Sequence, residues 1–504
     1  MQGKPQGEIP FFKVGDISAA YKRNEITLEK ANHYVSSEQA NQLRAKVLPQ
    51  GSTVFAKIGA AIALNRRAIL GCPALVDNNV IGLYPKPGGI DSRFLFYFTT
   101  TLRLMELAQA TTVPSVRKSQ VELISVPVPP GPEQRRIVAE IEKQFTRLEA
   151  GVGALKRVQA NLKRYRAGVL KAAVEGRLVP TEADLARREG RAYEPASELL
   201  ARLVTQPLLA VSKKAQAGVP VPPKPNYMDV GAPDSTNLPK LPDGWAWAYT
   251  MQVGDIQLGR QRSPKHHSGT HMRPYLRVAN VFEDRIDTSD VLQMNFTPSE
   301  FRTYELSSGD ILLNEGQSLH LVGRPAMYRD EVPGACFQNT LVRFRPYNGL
   351  DPKFALIVFR AHLHSKRFQK IARWTTTMAH LGAARFSMVE FPLPPGKEQP
   401  RIVAEAERRL SVIDELEMQV EANLKRAERL RQAILKRAFE GKLVPQDPND
   451  EPASTLLERI KAAKAGGDTA TPGCAGASGI ATLGRAEKRS KNKKAQAGVP
   501  VPQK

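Results

Sequence analysis

The run Gly259-Arg260-Gln261-Arg262-Ser263-Pro264-Lys265-His266-His267 gathers side chains suited to gripping a nucleic acid. Arginine and lysine hydrogen-bond guanine edges and phosphates; glutamine and asparagine suit adenine. Gly, Ser and Pro mark the run as a loop, where such side chains reach outward. Gln317, Arg324, Gln338 and Asn339 are further candidates of the same chemistry. Their counterparts earlier in the chain include Arg66, Asn78 and Asn79, through a correspondence given below. His266, His267 and His271 invite a metal, but no cysteine or acidic residue stands beside them at ligand spacing, so none is expected.

Motifs for catalysis are missing. The sequence has no G-x-x-x-x-G-K-[ST] loop for a nucleotide phosphate. It has no Asn-Pro-Pro-aromatic tetrapeptide for amino methylation and no glycine-rich loop after a strand for S-adenosylmethionine. It has no acidic cluster with lysine of the nuclease kind, and no nucleophile in a recognisable elbow. The expectation is recognition without chemistry and without a cofactor.

The charge agrees. Among 504 residues, 73 Lys+Arg stand against 50 Asp+Glu, a formal net charge of +23. Such an excess favours a polyanionic partner, and double-stranded DNA comes first. The three cysteines, Cys72, Cys336 and Cys474, are far apart, which fits a reducing cytoplasm. No apolar run approaches the ~18 residues a membrane span needs, and the opening MQGKPQGEIP is too polar for a signal peptide.

The chain is written twice. VPVPPGPEQRRIVAEIEK at 126–143 recurs as FPLPPGKEQPRIVAEAER at 391–408, an offset of 391 − 126 = 265. EGRLVP at 175–180 recurs as EGKLVP at 440–445 with the same offset. EPAS at 194–197 returns at 451–454, and the Pro-rich linker KKAQAGVPVP at 213–222 returns at 493–502. Upstream the match weakens: IPFFKVGDI (9–17) lines up with RPYLRVANV (273–281), and NNVIGLYPKPGGIDSRF (78–94) with QNTLVRFRPYNGLDPKF (338–354). The period is too long for a solenoid. It is a tandem duplication in which the helical parts stayed alike and the globular parts diverged. The second copy opens LPDGWAWAYTMQVGDI (241–256), with Trp245 and Trp247 as expected core aromatics; the first has no counterpart, so its domain is expected to lack an edge strand and part of its core.

After Pro130 and Pro395 the pattern turns helical. Ile137, Ile141, Phe145, Leu148, Val152, Leu155, Val158, Leu162, Tyr165 and Val169 recur every three or four residues. Ile402, Ala406, Leu410, Ile413, Leu416, Val420, Leu424, Ala427 and Ile434 do the same. A mean near 3.5 predicts a coiled-coil seam. Each helix opens with a Glu-Gln pair, suited to the positive dipole end, and stops near a glycine, Gly176 or Gly441. Two such stripes cover each other best by pairing antiparallel. The expected architecture is α+β: two mixed α/β domains separated by two long antiparallel helices. The expected divisions are 1–130 first domain, N-terminally incomplete, 131–180 first long helix, 181–240 EPAS helix and basic linker, 241–395 second domain, 396–445 second long helix, and 446–504 short helix and basic tail.

These features resemble the specificity subunit of type I restriction-modification systems. The resemblance rests on LPDGW at 241–245, on PxPPxxEQxRIVAE at 127–140 and 392–405, and on the twice-present EG-[RK]-LVP. It covers about 1–200 and 240–460. It implies that each domain is a target-recognition domain reading half of a bipartite DNA site. It implies that the helices set the spacing and dock two methyltransferase subunits. S-adenosylmethionine would serve those subunits, and ATP with Mg would serve separate restriction subunits. The missing LPxGW opening of the first copy departs from the pattern. Two rivals remain at this point: a fused methyltransferase, whose cofactor motifs are absent, and a truncated decoy that binds methyltransferase subunits without reading DNA.

Overall fold

A computed structural model describes residues 4–42, 44–85, 88–109, 113–205 and 231–465. Both KKAQAGVPVP linkers and the basic tail lie outside the described residues. The chain divides into two compact units, Met1–Ile141 with Leu435–Lys504, and Glu142–Ile434.

In the first unit a four-stranded sheet runs Thr27–Leu28, Arg67–Leu70, Thr53–Ala56, Val80–Leu83. A second sheet places Ile9–Phe12 between His33–Val35 and Leu75–Val76. Phe12, Ile17, Val54, Ala68 and Leu70 fill the core between sheet and helix Val14–Lys22. The apolar stretch 54–64 divides in two. It leaves the sheet after Ala56, and Ala60–Ile62 forms a 3-10 turn after Gly59, whose φ of +73° turns the chain.

The second unit repeats the plan with additional strands. Its four-stranded sheet runs Gly254–Leu258, Leu341–Pro346, Ile311–Asn314, Pro325–Met327. Met272–Leu276 lies between Leu292–Asn295 and Cys336–Phe337, as Ile9–Phe12 does in the first unit. In both, one neighbour is antiparallel and the other parallel. The LPDGW segment supplies strand Ala246–Tyr249, which pairs antiparallel with Glu390–Leu393. Trp245 is buried; Trp247, expected in the core, is only half-buried. Among the described residues of the first unit, no strand pairs with 125–128, the counterpart of 390–393, and none flanks Val80–Leu83 in the place of Gly254–Leu258. Residues 352–371 form two helices. Pro352–His364 and Arg367–Ile371 are separated at Lys366, whose φ is +62°.

The two long helices span Gly131–Val174, 44 residues, and Gln399–Phe439, 41 residues. They end at Gly176 and Gly441, both left-handed, as the favoured terminator should be. Within the second unit they run antiparallel: Arg166 pairs with Asp414 and Glu417, while the earlier Glu149 pairs with the later Arg431. Leu162, Val169, Leu410, Ile413 and Val420 are buried. Val158, Tyr165 and Leu416 were expected on the seam but are exposed. An α-helix drifts about 20° per heptad from a 3.5 repeat, so a long regular pattern outruns the contact face.

Candidate nucleic-acid interface

The glutamine of the Glu-Gln pair ties each domain to its helix. In the first unit Gln134 is buried, and its Oε1 accepts from the Asp91 backbone N–H at 2.7 Å. Asp91 caps helix Ser92–Thr101. In the second unit Gln399 does the same for Asp351, cap of Pro352–His364, again at 2.7 Å. Two residues beyond each glutamine, an arginine grips an acid: Arg136 meets Asp450 at 2.6 Å, and Arg401 meets Glu182 at 2.7 Å. Glu398 accepts from Trp245 Nε1 at 3.0 Å and from the Glu182 backbone N–H at 2.8 Å. Its burial pushes the carboxyl up from the ordinary range, against the pull of those two donors and Arg401.

The loop after Gly259 divides by role. Arg260 was expected to face DNA and does not. It is 7% exposed, its Nε and Nη2 hold Glu300 at 2.9 and 2.7 Å, its Nη1 donates to the Asn295 carbonyl at 2.5 Å, and it lies over the Phe296 ring. Every donor group is engaged, so it ties the loop to the domain. Beyond it Gln261, Arg262 and Lys265 are exposed. Arg262 Nε approaches His267 Nε2 at 3.1 Å. His266 is held below the usual imidazole range, by desolvation first and then by Arg260 and Lys265. Among the described residues no three His, Cys, Asp or Glu side chains gather to hold a metal.

Arg324 is half-buried. Its Nη2 donates to the Val281 carbonyl at 2.6 Å and its guanidinium covers the Phe282 ring. Gln338 and Asn339 are half-buried beside the loop: Gln338 bridges in parallel to Arg260, and the Asn339 N–H donates to the Arg260 carbonyl at 2.9 Å. The structure thus brings Gln261, Arg262, Lys265, Gln338 and Asn339 to one loop cluster. Gln317 stands elsewhere, half-buried on strand Gly316–Gln317. In the first unit Asn78 and Asn79 are exposed, Asn79 donating to Asp77 at 3.2 Å, and Arg66 is half-buried over Tyr21.

Sequence reasoning missed the hairpin built from Arg373–Trp374 and Ala379–His380, which carries exposed Trp374 beside exposed Lys370 and Arg373. A signal was there. Trp374 sits in RWTTTM, outside any apolar period, where a core tryptophan has no neighbours to join.

Residues 2–154 match the family model of the type I restriction modification DNA specificity domain. The type I restriction enzyme EcoKI specificity subunit of Escherichia coli (strain K12) is 23% identical over 390 residues, covering 75% of this chain and 72% of that protein. The EcoDI specificity subunit of Escherichia coli is 26% identical over 391 residues, covering 75% and 77%. A solved chain from work on complex assembly and conformational transition of the type I R-M system superposes with a TM-score of 0.52 at 20% identity, over 79% of this chain and 84% of that one. That likeness is one of fold.

Proposed function

We propose that the chain is a member of the type I restriction-modification specificity family and is the non-catalytic subunit that selects the DNA sequence, each unit reading one part of a bipartite site. One observation carries the reading: two diverged domains are held to two long helices by the same glutamine-to-cap hydrogen bond, Gln134 to Asp91 and Gln399 to Asp351. A constant mount under a variable face is what a subunit needs when its fixed part meets fixed partners and its variable part meets a sequence. The fixed surfaces belong to two methyltransferase subunits, which bring S-adenosylmethionine, and to restriction subunits, which bring ATP and Mg. The net charge of +23 supports a polyanion as the read partner, in the cytoplasm where host DNA lies.

In the second unit, Gln261, Arg262 and Lys265 on their loop, with Gln338 and Asn339 beside it, are the proposed contacts. Arg260 positions them. In the first, Asn78 and Asn79 take that role. The test is modification mapping: co-express the chain with its neighbouring methyltransferase subunit and sequence host DNA for methyladenine. A split motif with a fixed gap is expected. Methylation at one undivided motif, or none, overturns the two-part reading and revives the decoy.

A further inference from the structure

The hairpin Arg373–His380 presents a surface that the second unit does not use for folding. Trp374 is 56% exposed, Met378 at the turn is 39% exposed, and Thr375 to Thr377 are exposed between them. The other two tryptophans, Trp245 and Trp247, are buried or half-buried. The hairpin is nevertheless held firmly. The Thr375 N–H and hydroxyl both donate to the Met378 carbonyl, at 2.8 and 2.9 Å. The Leu381 N–H donates to the Glu315 carbonyl at 2.8 Å, and His380 Nδ1 meets the Glu315 carboxylate at 3.1 Å. An indole held in water on a braced turn is organised for contact before any partner arrives.

Charge says which partner. Lys370, Arg373 and Arg385 are exposed around the hairpin, and none has a carboxylate partner among the described residues. Register adds a polar reader. Trp374 and Gln317 both pair with Ala379, one from each side, so all three lie in one row across the sheet. The first unit has a hairpin in the corresponding place, Ala108–Gln109 with Ser115–Val116, where 115 + 265 = 380. There the exposed apolar residue is Val113, at 54%. Both units project an apolar head; the second carries an indole.

We propose that the 373–380 hairpin enters a groove of the target duplex and that Trp374 wedges into one base step. Lys370, Arg373 and Arg385 take the flanking phosphates, and Gln317 takes a base edge. The proposal rests on the DNA-reading role argued above. Apolar side chains inserted between base pairs unstack a step and kink the duplex. The second half-site would then favour a flexible pyrimidine–purine step at one position, without a hydrogen bond to specify it.

The test uses the whole complex with methyltransferase subunits and duplexes of the mapped site, carrying 2-aminopurine at successive positions. Wild type should raise the probe's emission at one step of the second half-site. Trp374→Ala should abolish that signal and weaken cognate binding about 10- to 100-fold, the range expected for a lost base–aromatic contact. Trp374→Phe should retain part of both. Unchanged melting of both variants confirms that the surface change leaves the fold intact. Equal affinity and emission in Trp374→Ala overturns the wedge. Lost assembly, with normal DNA affinity in whatever complex forms, also overturns it and assigns the indole to a protein contact. If the wild-type complex fails to bind the mapped site, the DNA-reading role itself falls; that result is separable because it appears before any substitution.

Discussion

Arg166 donates to the Asp414 carboxylate at 2.5 Å, and the same pair exists a second time as Arg431 and Glu149 at 3.3 Å. Each member is displaced by the repeat offset: 431 − 166 = 265 and 414 − 149 = 265. Within the second unit the two helices therefore face each other across a local two-fold, which is what antiparallel pairing of duplicated helices requires. The two pairs are not equal. The Arg166 side chain is 11% exposed and also holds Glu417 at 2.8 Å, while Arg431 is 37% exposed and rests on the Phe145 ring.

Arg166→Ala should therefore destabilise the paired helices by about 1–3 kcal/mol, because it leaves two neighbouring carboxylates of one helix without their shared cation. Arg431→Ala should cost less than about 1 kcal/mol for the ion pair, plus about 0.5–1 kcal/mol for the lost ring contact. Thermal unfolding of the two variants checks the ranking. A reversed order would remove the asymmetry argument.

Trp245→Phe keeps most of the ring volume and deletes the donor to Glu398. It should cost about 1–3 kcal/mol, against about 3–5 for Trp245→Ala. The defect should depend on pH. Burial raises the Glu398 pKa, so the folded state disfavours the ionised form, and stability is lost as pH rises through the folded value. Removing a donor that pulls the pKa down raises it further. The Trp245→Phe defect should thus be smaller at pH 4.5 than at pH 7. Melting curves at both values decide it.

Glu283 runs the other way. Desolvation pushes its carboxyl up, but hydrogen bonds and charges from His364 and Arg360 overcome it and hold the pKa at about 2, against an ordinary 4.5. The sign follows: the stabilisation is present above 4.5 and lost as pH falls from 4.5 toward about 2. It amounts to on the order of 3 kcal/mol. Glu283→Gln should be less stable than wild type at neutral pH and should show a flatter acid limb. Parallel limbs would mean the acid is not coupled to folding.

Within the 259–271 loop, two substitutions should separate. Gln261→Ala should relax methylation specificity at one base and cost about 1–3 kcal/mol on the cognate site. Lys265→Ala should weaken binding to all sequences alike and lower the salt slope by about one. Affinity on cognate and scrambled duplexes at two salt concentrations distinguishes a base contact from a phosphate contact.

Much of this fold was legible because duplication prints it twice. The helix ends at Gly176 and Gly441 and the place of each Glu-Gln pair could be read from spacing. What the pair does could not. Gln134 reads as a first-turn residue, and nothing local says that its partner is the cap of a helix 43 residues upstream. Arg260 misled for the same reason: its partner Glu300 is 40 residues away, and a loop arginine reads as exposed until a distant carboxylate claims it. Trp374 was missed rather than misread. Its place in RWTTTM, outside any apolar period, hinted at an exposed ring, and the structure leaves it 56% exposed.

Phe94 and Phe354 stand at the same place, three residues after the capping Asp91 and Asp351, yet they take their edge-on neighbours from different parts of the chain. Phe354 faces Trp245 from the LPDGW segment, and Phe94 faces Phe439 from the last turn of the second long helix. The residue matching Phe439 in the other helix is Val174, since 439 − 174 = 265. Exchange between the matching stretches of the two copies would therefore carry a penalty. A chain rebuilt from two second halves would end both helices in phenylalanine, although Phe354 already has its tryptophan. One rebuilt from two first halves would end both in valine and leave Phe94 with no aromatic neighbour. The ends of the two long helices are therefore not interchangeable between the copies, although the glutamines that mount the domains are.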